Sequence, residues 1–163
     1  MANEHCGSHI FTGIKSDLRG ISSVVQKNTS PNRTVRLIRG EKMKTKEGFF
    51  DEVSAAFQFP VSFGYNWAGF TEYMGDLDWL EIKGELAIIV SDADLVLAYE
   101  PDAELSSCIC ALYDAAAELS EPVTLGEDWD RPEVTLLAFL QFSTDDGLRR
   151  WIACGANFPF GDE

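Results

Sequence analysis

Residues 49–80 read FFDEVSAAFQFPVSFGYNWAGFTEYMGDLDWL, two short amphipathic segments around an aromatic, glycine-containing loop. In the first segment Phe49, Phe50, Val53, Ala56 and Phe57 recur at helical spacing, which predicts a helix with one apolar stripe. It should begin at Thr45 or Lys46, where Thr45 can cap the free amides, and Pro60 stops it from continuing. The second helix should begin at Asn66, whose short side chain is a good N-cap, and run to about Gly75. At 100° per residue, Trp67, Phe70, Met74 and Leu77 cluster on one side, with Tyr73 at the margin. That side is core. The other side carries Ala68, Glu72, Gly75 and Asp76, two carboxylates set among residues with almost no side chain. Such a face lets a partner approach the helix backbone closely while Glu72 and Asp76 project into it, a pattern suited to insertion into a basic cleft.

Working outward, residues 34–39 read as a strand closed by Gly40. Residues 85–90 (ELAIIV) and 134–140 (VTLLAFL) are nearly continuous apolar runs, which suit strands buried on both faces of a parallel sheet. Between them, residues 102–119 carry Leu105, Ile109, Leu112, Ala116 and Leu119 on one stripe, supplying the crossover helix that a parallel pair requires. Ser143 followed by Asp146 resembles a capping box, with Asp in place of Glu, that opens a last helix carrying Leu148, Trp151 and Ile152. The order predicts a small α/β domain with a three-stranded parallel sheet packed with helices. Before residue 33 the pattern weakens: Leu18, Ile21, Val24 and Val25 are at roughly helical spacing, but Gly20, Ser22 and Ser23 interrupt it. A short helix and an irregular arm fit this stretch equally well.

With 163 residues, 45% of them hydrophobic, the chain is long enough for one buried core and too short for two. No run approaches the length of a membrane span, and the first residues lack a basic region followed by an apolar one, so the expected location is the cytoplasm. Four cysteines, Cys6, Cys108, Cys110 and Cys154, have no framework spacing and read as reduced thiols. The formal charge is −14, and it is unevenly placed. Residues 1–50 carry nine Lys/Arg and four Asp/Glu, whereas residues 51–163 carry four and twenty-three. That field repels nucleic acid and favours a basic partner, although acidity also serves simply to keep a protein dispersed.

Other chemistry has little support. His5, Cys6 and His9 supply only three ligands for a metal, close to the terminus. Cys108 and Cys110 lie two apart on a helix and do not face each other. Asp92 and Asp94, just past a strand, invite a metal or phosphoryl reading, but no Gly-rich loop or Lys/Thr partner accompanies them, and a turn is the simpler account. With only those two histidines, a nucleophile–histidine site in the folded domain has no histidine to use. No enzyme activity, cofactor or metal is expected.

The strand ending in Arg39-Gly40, the 49–57 helix, Phe59-Pro60, Phe63-Gly64, Asn66-Trp67 and the run 76–80 (DLDWL) together make the chain resemble the barstar family, intracellular inhibitors of secreted barnase-type ribonucleases. The resemblance is specific over residues 34–90 and rests beyond them on the order of helix and strand. It implies a barstar-like domain over residues 33–155, an N-terminal extension over 1–32 and a tail over 156–163. It further implies a monomer when free, with no nucleic-acid or membrane partner. Its partner would be a basic secreted or toxin ribonuclease, whose active site the second helix and preceding loop would plug, as the immunity protein of the producing cell. The implied contact residues are Ser62, Gly64, Tyr65, Asn66, Trp67, Ala68, Thr71, Glu72, Gly75 and Asp76. Ser62 falls where the family has an interface tyrosine, Thr71 where it has tryptophan, and Glu72 where it places its principal acid. The main departure is Ala68, since the family pattern Asn-Trp-Asp-Ala reads Asn66-Trp67-Ala68-Gly69 here. That loss means either weakened inhibition of the usual target or a changed specificity, and a barstar-fold module with a partner other than such a ribonuclease is the alternative reading.

Overall fold

The computed structural model describes residues 10–15 and 18–159. Its strands are β1 (Phe11–Lys15), β2 (Arg33–Arg39), β3 (Gly84–Ser91) and β4 (Val134–Phe142). Its α-helices are α1 (Leu18–Asn28), α2 (Lys46–Phe57), α3 (Trp67–Asp76), α4 (Asp102–Leu119) and α5 (Asp145–Ala153), joined in places by single 3₁₀ turns. The sheet has four strands in the order β1-β4-β3-β2, and every pairing is parallel. It is therefore one strand larger than the sequence pattern predicts.

The additional strand comes from the stretch read as an extension. Phe11 pairs with Ala138, and the amide of Ala138 donates to the carbonyl of Ile10 at 2.7 Å. β1 is short and contains Gly13, so it shows no apolar run, yet Phe11 is fully buried among Tyr113, Trp151 and Phe158. The segment after it forms the helix α1, one of the two conformations its sequence allows. At the other end, Ala156 and Phe158, assigned from sequence to a tail, are buried, with Phe158 against the rings of Phe11 and Phe142. The His5, Cys6 and His9 cluster lies outside the described residues.

The two apolar runs form the central pair. In β3, Leu86, Ala87, Ile88, Ile89 and Val90 are all buried, as expected of a strand covered on both faces. Leu86, Ile88 and Val90 join the main core with α2, α3, α4 and Trp151, while α1 packs on β2 and β3 from the opposite side. Helix starts follow short polar side chains: Thr45 Oγ1 accepts from Gly48 N, and Asn66 Oδ1 accepts from Gly69 N. At α5 the cap is Thr144, whose hydroxyl accepts from Gly147 N, and not Ser143. The shift has a cause in Asp94, whose carboxylate accepts from Ser143 N, Thr144 N and Thr144 Oγ1 and so fixes the turn with Ser143 outside the helix. Asp94 is thus engaged in holding a turn.

An acidic helix face and its preceding loop

The site is assembled on an aromatic cluster. Phe50 packs against Phe49, Phe63, Trp67 and Phe70, with ring centroids between 4.9 and 6.4 Å. Phe59 adds contacts to Phe63, Tyr73 and Trp79. Offset and edge-on ring pairs of this kind fix orientation as well as bury area, so α3 and the loop before it sit on a rigid bed. Within the loop, Ser62 Oγ and Tyr73 Oη are 2.8 Å apart, Asn66 Nδ2 donates to Gly64 O at 3.1 Å, and Tyr65 Oη donates to Asp51 Oδ1. The bond to Asp51 raises the pKa of the Tyr65 phenol, with burial and the negative charges of Asp51 and Glu47 adding to it.

Trp67 is half-buried and belongs to the scaffold. Its ring lies on Phe49 and Phe50, and its indole N–H donates to Glu104 Oε2 at 2.7 Å. Lys46 pairs with the same carboxylate at 3.2 Å, so one acid ties the N-terminal turns of α2, α3 and α4 together. The indole bond, followed by Lys46, holds Glu104 below the ordinary carboxylate range despite its partial burial. Thr71 is also half-buried and returns its hydroxyl to the carbonyl of Trp67 at 3.0 Å.

Ala68, Glu72 and Asp76, spaced four apart, form one exposed stripe, continued by the exposed Ser62, Gly64, Tyr65 and Asn66 of the loop. Among the described residues Glu72 makes no ion pair. Asp76 has a raised pKa, because partial desolvation at the edge of α4 and then the neighbouring charge of Asp78 disfavour its ionised form, with Glu72 and Glu118 adding and Arg131 opposing. Carboxylates crowded in this way are costly to the free protein, and an incoming cation would relieve them.

Gly75 departs from the sequence reading. It is buried, and a Cβ built on it would lie 3.0 Å from Glu118 Cγ and 3.8 Å from the Cα of Ala115. Helical geometry alone placed it on the free face; the close approach of α4 removes it from that face. Even Gly75→Ala is expected to cost some stability, since its Cβ would meet Glu118 Cβ at 3.1 Å, a contact that turning the Glu118 side chain does not relieve and that α4 must shift to accommodate. Gly75→Val is expected to cost about 1–3 kcal/mol by overpacking, read as a lowered urea midpoint with unchanged slope.

Arg131 carries no local signal that a sequence would reveal. Its guanidinium donates to the carbonyls of Gly75 at 2.9 Å, Glu118 at 3.1 Å, Leu119 at 3.2 Å, Glu121 at 3.0 Å and Pro132 at 3.3 Å. One side chain therefore answers the unpaired carbonyls at the ends of both α3 and α4. It helps line a cleft of about 400 Å³, together with Asp76, Asp78, Glu81 and Lys83 from α3 and the segment after it, and Asp128 and Asp130 from the loop between α4 and β4. Among the described residues no group of His, Cys, Asp or Glu is arranged to hold a metal ion, and no helix is long and apolar enough to cross a membrane.

A search of curated proteins and one of solved structures find no match to the chain. A family model does match, over residues 33–139, and it takes in β2, α2, α3, β3, α4 and the first part of β4. That span is most of the chain and contains the whole acidic face. The protein belongs to the family described as Barstar (barnase inhibitor).

Proposed function

We propose that the protein inhibits a basic ribonuclease by laying the exposed stripe of α3 and the loop before it over the enzyme's active site. Acidic side chains would take the places of RNA phosphates beside the catalytic cations. The observation that carries this reading is Glu72, an exposed carboxylate without an ion-pair partner among the described residues, on a helix whose other face is locked into an aromatic core. Ser62, Gly64, Tyr65, Asn66, Ala68 and Asp76 make up the rest of the contact surface, Thr71 and Trp67 its edge, and Gly75 only its support. The setting is the cytoplasm of the cell that makes the nuclease, with the protein acting as its immunity partner.

Membership of an inhibitor family supports the reading, and so does the sign of the charge. Purified barnase-type ribonucleases, barnase included, should lose activity at equimolar protein. Association should slow as salt rises from low to physiological ionic strength, because steering between opposite charges is screened. An association rate indifferent to salt would count against active-site plugging by charge. A second reading, a family member directed at a protein other than such a ribonuclease, is favoured by one observation, the neutral Ala68 one turn before Glu72. Failure to inhibit any ribonuclease of the panel would select it.

A further inference from the structure

The loop between α4 and β4, residues 120–133, exposes two large apolar side chains, Leu125 at 72% and Trp129 at 51%. Solvated loops do not ordinarily hold a tryptophan in the open, and this loop is held firmly. Val123 and Arg131 exchange backbone hydrogen bonds at 2.9 and 3.1 Å, closing its base. Asp130 accepts from Leu125 N at 2.8 Å and Gly126 N at 2.7 Å, and Gly126 takes the positive φ of 80° that the turn requires. Burial works against the Asp130 carboxylate, but the amides of Leu125, Gly126 and Glu127 hold its pKa below the ordinary value. The loop is also fastened to the α3 end of the candidate site, since the Arg131 side chain donates to the carbonyl of Gly75.

We propose that residues 120–133 are a second contact arm, on which Trp129 and Leu125 pack against the nuclease that meets α3 and Trp129 receives one of its cationic side chains. The inference rests on the inhibitor reading above and extends its surface. Three features name the occupant. The arm carries Glu121, Glu127, Asp128, Asp130 and Glu133 against Arg131 alone, and that cation is already engaged by carbonyls. A second copy of this chain, with net charge −14, would be repelled there. An indole flanked by carboxylates binds an arginine or lysine through its π face and a neighbouring acid together, and tryptophan anchors of this kind dominate interface energetics. Because the loop is already ordered, little conformational freedom would be lost on docking.

The test uses the full chain and the panel of barnase-type ribonucleases, with dissociation constants measured for wild type, Trp129→Ala, Leu125→Ala and Glu72→Ala. Trp129→Ala is expected to raise Kd about 10- to 100-fold and Leu125→Ala about 3- to 10-fold, with thermal midpoints unchanged because both side chains are exposed. Trp129→Phe should recover part of the loss. Bound nuclease should protect Trp129 from acrylamide quenching, read as the difference between wild type and Trp129→Phe. A Kd within twofold for Trp129→Ala, in a nuclease whose binding Glu72→Ala does weaken, overturns the arm and leaves the inhibitor reading standing. A lowered thermal midpoint for Trp129→Ala, or self-association of wild type that this variant abolishes, also overturns it. Absence of binding by wild type to every nuclease removes the inhibitor reading and the arm with it.

Discussion

Glu72→Ala is expected to weaken nuclease binding by about 2–5 kcal/mol while leaving the urea midpoint of the free protein within a few tenths of a kcal/mol of wild type. The binding range is that of truncated charge pairs in protein interfaces at large, those of the barstar family among them. The split between the two readouts follows from position. Glu72 is exposed and, among the described residues, makes no ion pair, so its removal takes nothing from the fold and relieves Asp76 of one repelling neighbour. In a complex the same truncation would leave an enzyme cation buried without its partner. Glu72→Gln, which keeps the shape, should lose most of the same affinity. Equal losses in binding and stability would contradict the assignment. Ala68→Asp extends the experiment, since it places an acid in the first turn of α3, where the helix dipole tolerates it. Tighter binding would show that the nuclease keeps a cation opposite that position; weaker binding would show a partner shaped to fit the alanine.

Arg131→Met is expected to destabilise the protein by about 2–4 kcal/mol, a shift of roughly 5–12 °C in thermal midpoint for a chain of this size. It removes the donor to five carbonyls at once, those of Gly75 and Leu119 part-buried at the ends of α3 and α4 and those of Glu118, Glu121 and Pro132 exposed. Water can reach some of those carbonyls, so the loss is less than five charge-assisted bonds would imply. Arg131→Lys should recover less than half, because an ammonium is a point donor and cannot serve the fork of carbonyls. The deficit also depends on pH. Asp76 has a raised pKa in the fold, so its ionisation opposes folding: that penalty is absent below its ordinary value and grows as pH rises through the folded one. Arg131 is the cation that offsets it, and the Arg131→Met deficit should therefore shrink at acid pH. A deficit equal at acid and neutral pH would separate the clamp from Asp76.

Features fixed by neighbouring residues were legible in the sequence. Thr45 and Asn66 cap the helices they were expected to cap, Phe70, Met74 and Leu77 of the α3 stripe are buried as the periodicity required with Trp67 half-buried at its start, and the two apolar runs form the central strands. What escaped was set by partners distant in the chain. β1 is five residues with a glycine inside it, and only pairing with β4 makes it a strand. Gly75 looked free because nothing in residues 67–76 announces the approach of Glu118 and Ala115. Ser143 lost the cap to Thr144 because Asp94, some fifty residues earlier, claims the amides at the turn. Arg131 reads as an ordinary loop charge until the two helix ends that it serves are placed beside it.

The all-parallel pairing has a consequence for the order of assembly. Among the described residues no two neighbouring strands of this sheet are joined by a hairpin, and β1, the first strand described, has β4, the last one described, as its only sheet neighbour. Phe11 must wait for residues 138–142 before its strand has a partner. A chain emerging from the ribosome is therefore expected to assemble α2, α3 and α4 beside β2 and β3 first, with the acidic face of α3 taking shape while one flank of the sheet is still open. High separation between contacting residues slows folding, so closure by β1 should be the late and slow step, and a nascent chain stalled before β4 should leave β1 accessible to protease.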